Sequence, residues 1–195
     1  MFKLPNPPGT SDYEMLPFQF TEELSSKNVF VQLPEAFSPV QRMLLQASGN
    51  LQRLVSAYFN VPSRVEIIYN RPMYEQSNLP NRHFERKVQI YFAEKMVIEA
   101  DSILYVKDPN VLDLIEKHKY GLGQIFAHTK RTPDFMLLAV GRHDNKAGSS
   151  FWRDYSLTIP DVLDCFIREK FVEGLFDTYD PSFGERKGSI WFNNQ

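Results

Sequence analysis

Six stretches of this chain repeat with the period of a β-strand, and they limit what it can fold into more than any other feature. They are RVEIIYN (64–70), HFERKVQIYFAE (83–94), KMVIEADSILYV (95–106), DFMLLAVGR (134–142), FWRDYSLTI (151–159) and VLDCFIREKF (162–171). Alternation of apolar and polar side chains marks a strand with one face on a core. Short links join several of them, with Glu94-Lys95 placed as one hairpin turn and Pro160-Asp161 as another, so an antiparallel sheet is expected. DFMLLAVGR is apolar on both faces, which predicts a central strand.

The remaining periodic segments are helical. In SPVQRMLLQASGNLQRLVSAYF (38–59), Ser38 is a capping residue and Pro39 suits the first helical position. Met43, Leu44, Leu51, Leu54, Val55 and Tyr58 recur at helical spacing, and Ser48-Gly49-Asn50 divides the segment into two helices. DPNVLDLIEKHK (108–119) reads as a short helix, and YGLGQIFAH (120–128) opens another. The expected fold class is α+β: one domain over residues 35–176, an antiparallel sheet of about six strands with helices on one face. A proline-bearing N-terminal arm (1–34) precedes it and a polar tail (177–195) follows. HDNKAGSS (143–150) reads as a flexible hairpin loop.

Composition narrows the function classes. The formal net charge of -2 and pI near 6.1 lack the basic excess of a nucleic-acid binder. No apolar run approaches the length of a membrane span. The single cysteine, Cys165, cannot form an internal disulfide, which suggests a reducing compartment and a soluble, cytoplasmic protein. None of His83, His118, His128 and His143 sits at a metal-pair spacing, and no metal or cofactor is expected. The Gly-x-Gly of YGLGQIF lacks the third glycine of a dinucleotide loop, so a tight turn is the expectation. Cys165 falls on the inner face and reads as buried filler. Trp152-Arg153-Asp154-Tyr155 reads as cross-strand packing.

Two charges are on the wrong side of their strands. In FERKVQIYF, Phe84, Arg86, Val88, Ile90 and Phe92 share a face, and four of the five are large and apolar. In VLDCFIREKF, Leu163, Cys165, Ile167, Glu169 and Phe171 share the inner face. An isolated buried charge is costly, so each needs a partner. Arg86 and Glu169 could pair with each other. Alternatively they face a pocket, where Arg86 takes a ligand carboxylate and Glu169 donates or holds a proton. Periodicity leaves both readings open.

HFERKVQIYF, the hairpin into ADSILYV, GLGQIF, DFMLLAVGR, WRDYSL and CFIREKF, in that order over roughly residues 44–171, resemble the chorismate lyases, and their divergent branch more than the compact enterobacterial form. The resemblance implies an α+β domain with a buried ligand cavity under flaps. It also implies a cofactor-independent lyase that eliminates pyruvate from chorismate to give 4-hydroxybenzoate. By the same resemblance Arg86 grips the ring carboxylate and Glu169 is the acid or hydrogen-bond partner at the ring oxygen. Leu122 and Gly123 line the cavity, and Leu51 packs on the ring. Asp101 stands where the enterobacterial type has a second arginine, for the side-chain carboxylate. Arg142, Arg153 or Lys130 could supply that charge, and Arg153 is counted with the substrate-binding residues. The arm and the insert NRPMYEQSNLPN (70–81) suggest a lid of different shape. Two other readings remain: an enzyme of the same fold (a lyase, dehydratase or cyclase) acting on another ring metabolite of a secondary pathway, and a non-catalytic small-molecule sensor, although no helix-turn-helix module is present. The expected partner is a small-molecule substrate, with neither nucleic acid nor membrane, on a monomer or homodimer.

Overall fold

The computed structural model describes residues 21–24, 29–73, 83–118, 120–144, 146 and 148–176. The tail, most of the arm, residues 74–81 of the insert with Arg82, and part of the 143–150 loop lie outside the described residues. Within the arm, β1 (Thr21–Leu24) and β2 (Val29–Gln32) pair antiparallel as a separate two-stranded ribbon. No strand was expected there.

The main sheet is β3 (Ser63–Pro72), β4 (His83–Phe92), β5 (Lys95–Val106), β6 (Asp134–Arg142), β7 (Phe151–Ile159) and β8 (Leu163–Phe171). All its pairings are antiparallel, in the order β3-β4-β5-β8-β7-β6. Four helices accompany it: α1 (Pro39–Leu45), α2 (Leu51–Phe59), α3 (Pro109–Glu116) and α4 (Leu122–Thr129). The fold is α+β, with six antiparallel strands in a single domain.

Local chemistry accounts for the element ends. Ser38 Oγ accepts from the Gln41 amide at 3.3 Å while Gln41 Oε1 accepts from the Ser38 amide at 2.9 Å, a reciprocal cap that starts α1 at Pro39. Gly49, at φ +77, makes the break before α2. The β4–β5 turn is built by Ala93 and Glu94, both with positive φ, and not by Glu94-Lys95. A two-residue hairpin needs that left-handed geometry to match the strand twist, and here non-glycine residues supply it.

β6 is an edge strand, not the central one its sequence suggests. Its apolar residues do different jobs. Leu137 and Val140 pack on the core, whereas Met136 and Leu138 stay 59% and 40% exposed. A bulge between Leu137 and Ala139 drops Leu138 from the ladder, a common device at sheet edges.

One face of the sheet carries two apolar clusters. Toward one end, Leu44, Leu45, Leu51 and Val55 of α1 and α2 meet Ile90, Ile98, Phe151 and Phe171, the last two stacked at 4.3 Å. Toward the other, Val111, Ile115 and Ile125 of α3 and α4 meet Phe84, Leu104, Leu157 and Cys165. The opposite face bears charge: Lys87 lies between Glu99 at 2.8 Å and Asp101 at 3.5 Å, and Arg168 holds Asp154 at 2.5 Å.

Candidate functional site

Between the two clusters the register brings two inner-face rows together. One runs Arg153–Glu169–Ala100–Val88 across β7, β8, β5 and β4, and the next runs Tyr155–Ile167–Ser102–Arg86. The polar inner-face side chains of these strands fall in these two rows. Ala100 and Ser102 are small, so the middle of the floor is low while both flanks are polar. Over it opens a cavity of about 530 Å³, walled by the starts of α2 and α4 and by β3, a size usual for small-molecule sites.

Arg86 stands at one pole and is 3% exposed. Its Nη1 donates to the Tyr120 carbonyl at 2.7 Å, and it has no carboxylate partner among the described residues. Burial lowers its pKa, with a small opposing pull from the Cys165 thiol, yet a guanidinium keeps its charge. Its Nη2 lies close to Gly121, where an added Cβ would come within 3.9 Å. Among the described residues Arg86 is therefore a cation without a counter-charge, presented to the cavity.

The other pole is satisfied internally. Glu169 accepts from Arg153 Nε on Oε2 and from the Tyr155 hydroxyl on Oε1, both at 2.8 Å. Arg153 is 1% exposed, and its Nη1 donates to the carbonyls of Leu44, Leu45 and Ala47. It thereby ties the C-terminal end of α1 to the sheet and supplies donors that a helix end lacks. Burial, then the adjacent Glu169 charge, pushes the Tyr155 hydroxyl well above its ordinary pKa.

The Arg86–Glu169 ion pair, one of the two openings left by the sequence, does not form. The two residues lie two strands and one inner-face step apart, about 12 Å between Cα atoms from standard strand spacings. Arg86, Glu169, Leu51, Leu122, Gly123 and Arg153 all line the one cavity. Asp101 does not: it lies on the opposite face, 3.5 Å from Lys87 and 4.0 Å from Lys170. Parity places it there, since Ala100 and Ser102 on either side point inward. Arg142 donates to the carbonyls of Ala36 and Lys146, and Lys130 is exposed at the end of α4. Neither lines the cavity.

Sequence reasoning missed Tyr155 and Ser102. Tyr155 shares inner-face parity with Arg153, which the sequence singles out, and Ser102 is the cross-strand partner of Arg86. The four-residue run 152–155 splits across the sheet: Arg168 sits over the Trp152 ring at 5.3 Å on the outer face, and Arg153 over the Tyr155 ring at 4.4 Å on the inner. Cys165 is fully enclosed, and burial, against the pull of Arg86, raises its pKa far above the ordinary thiol value. Among the described residues no cluster of three or more His, Cys, Asp or Glu is placed to hold a metal ion. No helix among them is long and apolar enough to cross a membrane.

No protein-family model matches the chain, and no curated protein does. Among solved structures it is similar to the C-terminal domain of the histidine utilization repressor from Pseudomonas syringae pv. tomato str. DC3000. That similarity has a TM-score of 0.37 and 8% identity, and it covers 67% of this chain and 99% of the other.

Proposed function

We propose that the cavity binds a small cyclic carboxylic acid through Arg86 and that the chain is a cofactor-independent carbon–oxygen lyase of the chorismate pyruvate-lyase type. The observation that carries this reading is the buried Arg86 guanidinium, which faces the cavity without a carboxylate partner among the described residues. A buried lone charge is unfavourable in the empty protein and becomes favourable when an anion arrives. That Glu169, Leu51, Leu122 and Gly123 line the same space supports it further.

In such a reaction the bond from the ring to the enolpyruvyl oxygen breaks. The neighbouring hydroxyl-bearing ring carbon loses its proton, and the electron pair of that C–H bond completes the aromatic ring. The enolpyruvate leaves and tautomerises to pyruvate. The chain's contribution is modest: it orients the ring acid on Arg86, encloses it over Ala100 and Ser102, and offers the Glu169–Tyr155 pair to the ring oxygen.

The test is to incubate the purified protein with chorismate and follow 4-hydroxybenzoate and pyruvate together. Equal, enzyme-dependent appearance of both, lost in Arg86→Ala, is the expected result. A folded protein that forms neither product is not this lyase. One observation favours a second reading, in which the same pocket serves another ring acid: Asp101, aligned with a cation of the enterobacterial type, points away from the cavity. Binding of 4-hydroxybenzoate without turnover of chorismate would select that reading.

A further inference from the structure

We infer that the site reads a single carboxylate, the one on the ring, and leaves the oxygen-linked side chain of its substrate at the open mouth, where no cation among the described residues reads it. This rests on the ring-acid reading above. It goes further, because it makes the substrate class a series of ring acids that differ in side chain rather than one dicarboxylate.

The charges around the cavity carry the inference. Only two cationic side chains line it among the described residues, Arg86 and Arg153. Arg86 is available to one carboxylate. Arg153 is committed four times over, to Glu169 and to three backbone carbonyls. A second carboxylate placed at that pole would meet the Glu169 carboxylate, and like charges in an enclosed space repel strongly. The pole opposite Arg86 is therefore suited to an uncharged donor, such as a ring hydroxyl, that Glu169 or the Tyr155 oxygen can accept.

The mouth is the remaining place for a side chain. Val65 and Ile67 of β3 are 43% and 36% exposed, and Gly123 and Gln124 of α4 are exposed as well, so the cavity opens between β3 and α4. That rim is apolar and amide-bearing. Gln124 is already engaged with the Gly121 amide at 2.7 Å. A charged substituent there keeps its water, and a neutral one loses nothing by lacking charge.

The experiment is calorimetric titration of the full chain with three aromatic acids: 4-hydroxybenzoate, 3-ethoxy-4-hydroxybenzoate and 3-(carboxymethoxy)-4-hydroxybenzoate. The two ethers should bind within about tenfold of each other, the scale of a solvent-exposed charge, and Arg86→Met should lose all three. A carboxymethoxy compound bound more than about tenfold tighter would reveal a second cation reading it and overturn the inference. One bound more than about tenfold weaker would place its carboxylate against Glu169 and overturn it equally. If 4-hydroxybenzoate binds and neither ether does, the mouth does not admit a side chain; this inference fails and the ring-acid reading stands. If none of the three binds, the ring-acid reading fails and takes this one with it.

Discussion

Replacing Arg86 by Met should move affinity and stability in opposite directions. In the empty protein the substitution removes one hydrogen bond, from Nη1 to the Tyr120 carbonyl, and a bond made by a charged donor contributes about 1.5–3 kcal/mol. It also removes a cation buried to 3% exposure with no carboxylate among the described residues. The effective penalty for burying such an ion is several kcal/mol even after relaxation. The second effect is the larger. The variant should be as stable as the parent or more stable by about 1–3 kcal/mol, with a melting temperature higher by about 2–4 °C for each kcal/mol.

Ligand binding should show the reverse. Removing one partner of a desolvated, hydrogen-bonded charge pair costs about 2–5 kcal/mol, or roughly 30- to 5,000-fold in Kd. Urea denaturation of both proteins without ligand, paired with calorimetric titration of 4-hydroxybenzoate, measures the two effects separately. An empty variant destabilised by more than about 2 kcal/mol would mean that the Arg86 charge is compensated within the fold. The guanidinium would then be structural, and the argument for an anion site would lose its foundation.

Three further perturbations test the surroundings. Asp101→Asn should leave 4-hydroxybenzoate affinity unchanged within about twofold in the same titration, because its carboxylate faces Lys87 and Lys170 on the far side of the sheet. Gly141→Ala should cost about 1–3 kcal/mol by urea denaturation and perturb tryptophan fluorescence, since an added Cβ would lie 2.3 Å from the Trp152 ring. The Cys165 thiol should resist alkylation in the folded protein at pH 8 and react once urea unfolds it. Burial raises its pKa above the ordinary 9.0, so the stability it contributes is fully present below that value. That contribution declines as pH rises past 9.0, where the unfolded chain ionises first. The urea midpoint followed from pH 7 to pH 10 should fall only at the alkaline end.

How much of this was legible depends on what the sequence encodes locally. Strand parity alone put Arg86 and Glu169 inside, because a side chain's face is fixed by counting in twos from apolar neighbours. The same count in KMVIEADSILYV places Ala100 and Ser102 inward and Asp101 outward, so parity was the better guide there than alignment with a distant family. The edge position of β6 was not readable. The chain crosses from β5 through α3 and α4 to the far edge of the sheet before returning through β7 to β8, and adjacency in sequence does not announce such a crossing. The partners of Arg153 were equally hidden: the Leu44, Leu45 and Ala47 carbonyls lie more than 100 residues away and belong to the backbone, which leaves no residue-type signal.

Glu169 poses the sharpest remaining question, because it can matter in two ways that a single substitution confuses. As the counter-ion of Arg153, with both oxygens occupied at 2.8 Å, it helps to hold the end of α1 against the sheet. As a cavity-lining carboxylate it can also act on the ring oxygen. Glu169→Gln strands a buried guanidinium and should cost about 3–5 kcal/mol of stability, so lost turnover in that variant alone would prove nothing about chemistry. Arg153→Met added to it removes the stranded charge, and the pair should recover part of that loss, as buried ion pairs replaced together often do. The double variant then separates the roles. If urea denaturation shows stability recovered while product formation from chorismate stays low, Glu169 acts on the substrate. If turnover returns with stability, the carboxylate is there for Arg153, and the acid that the proposed lyase reaction needs has to be found elsewhere in the cavity, with the Tyr155 hydroxyl the next group to test.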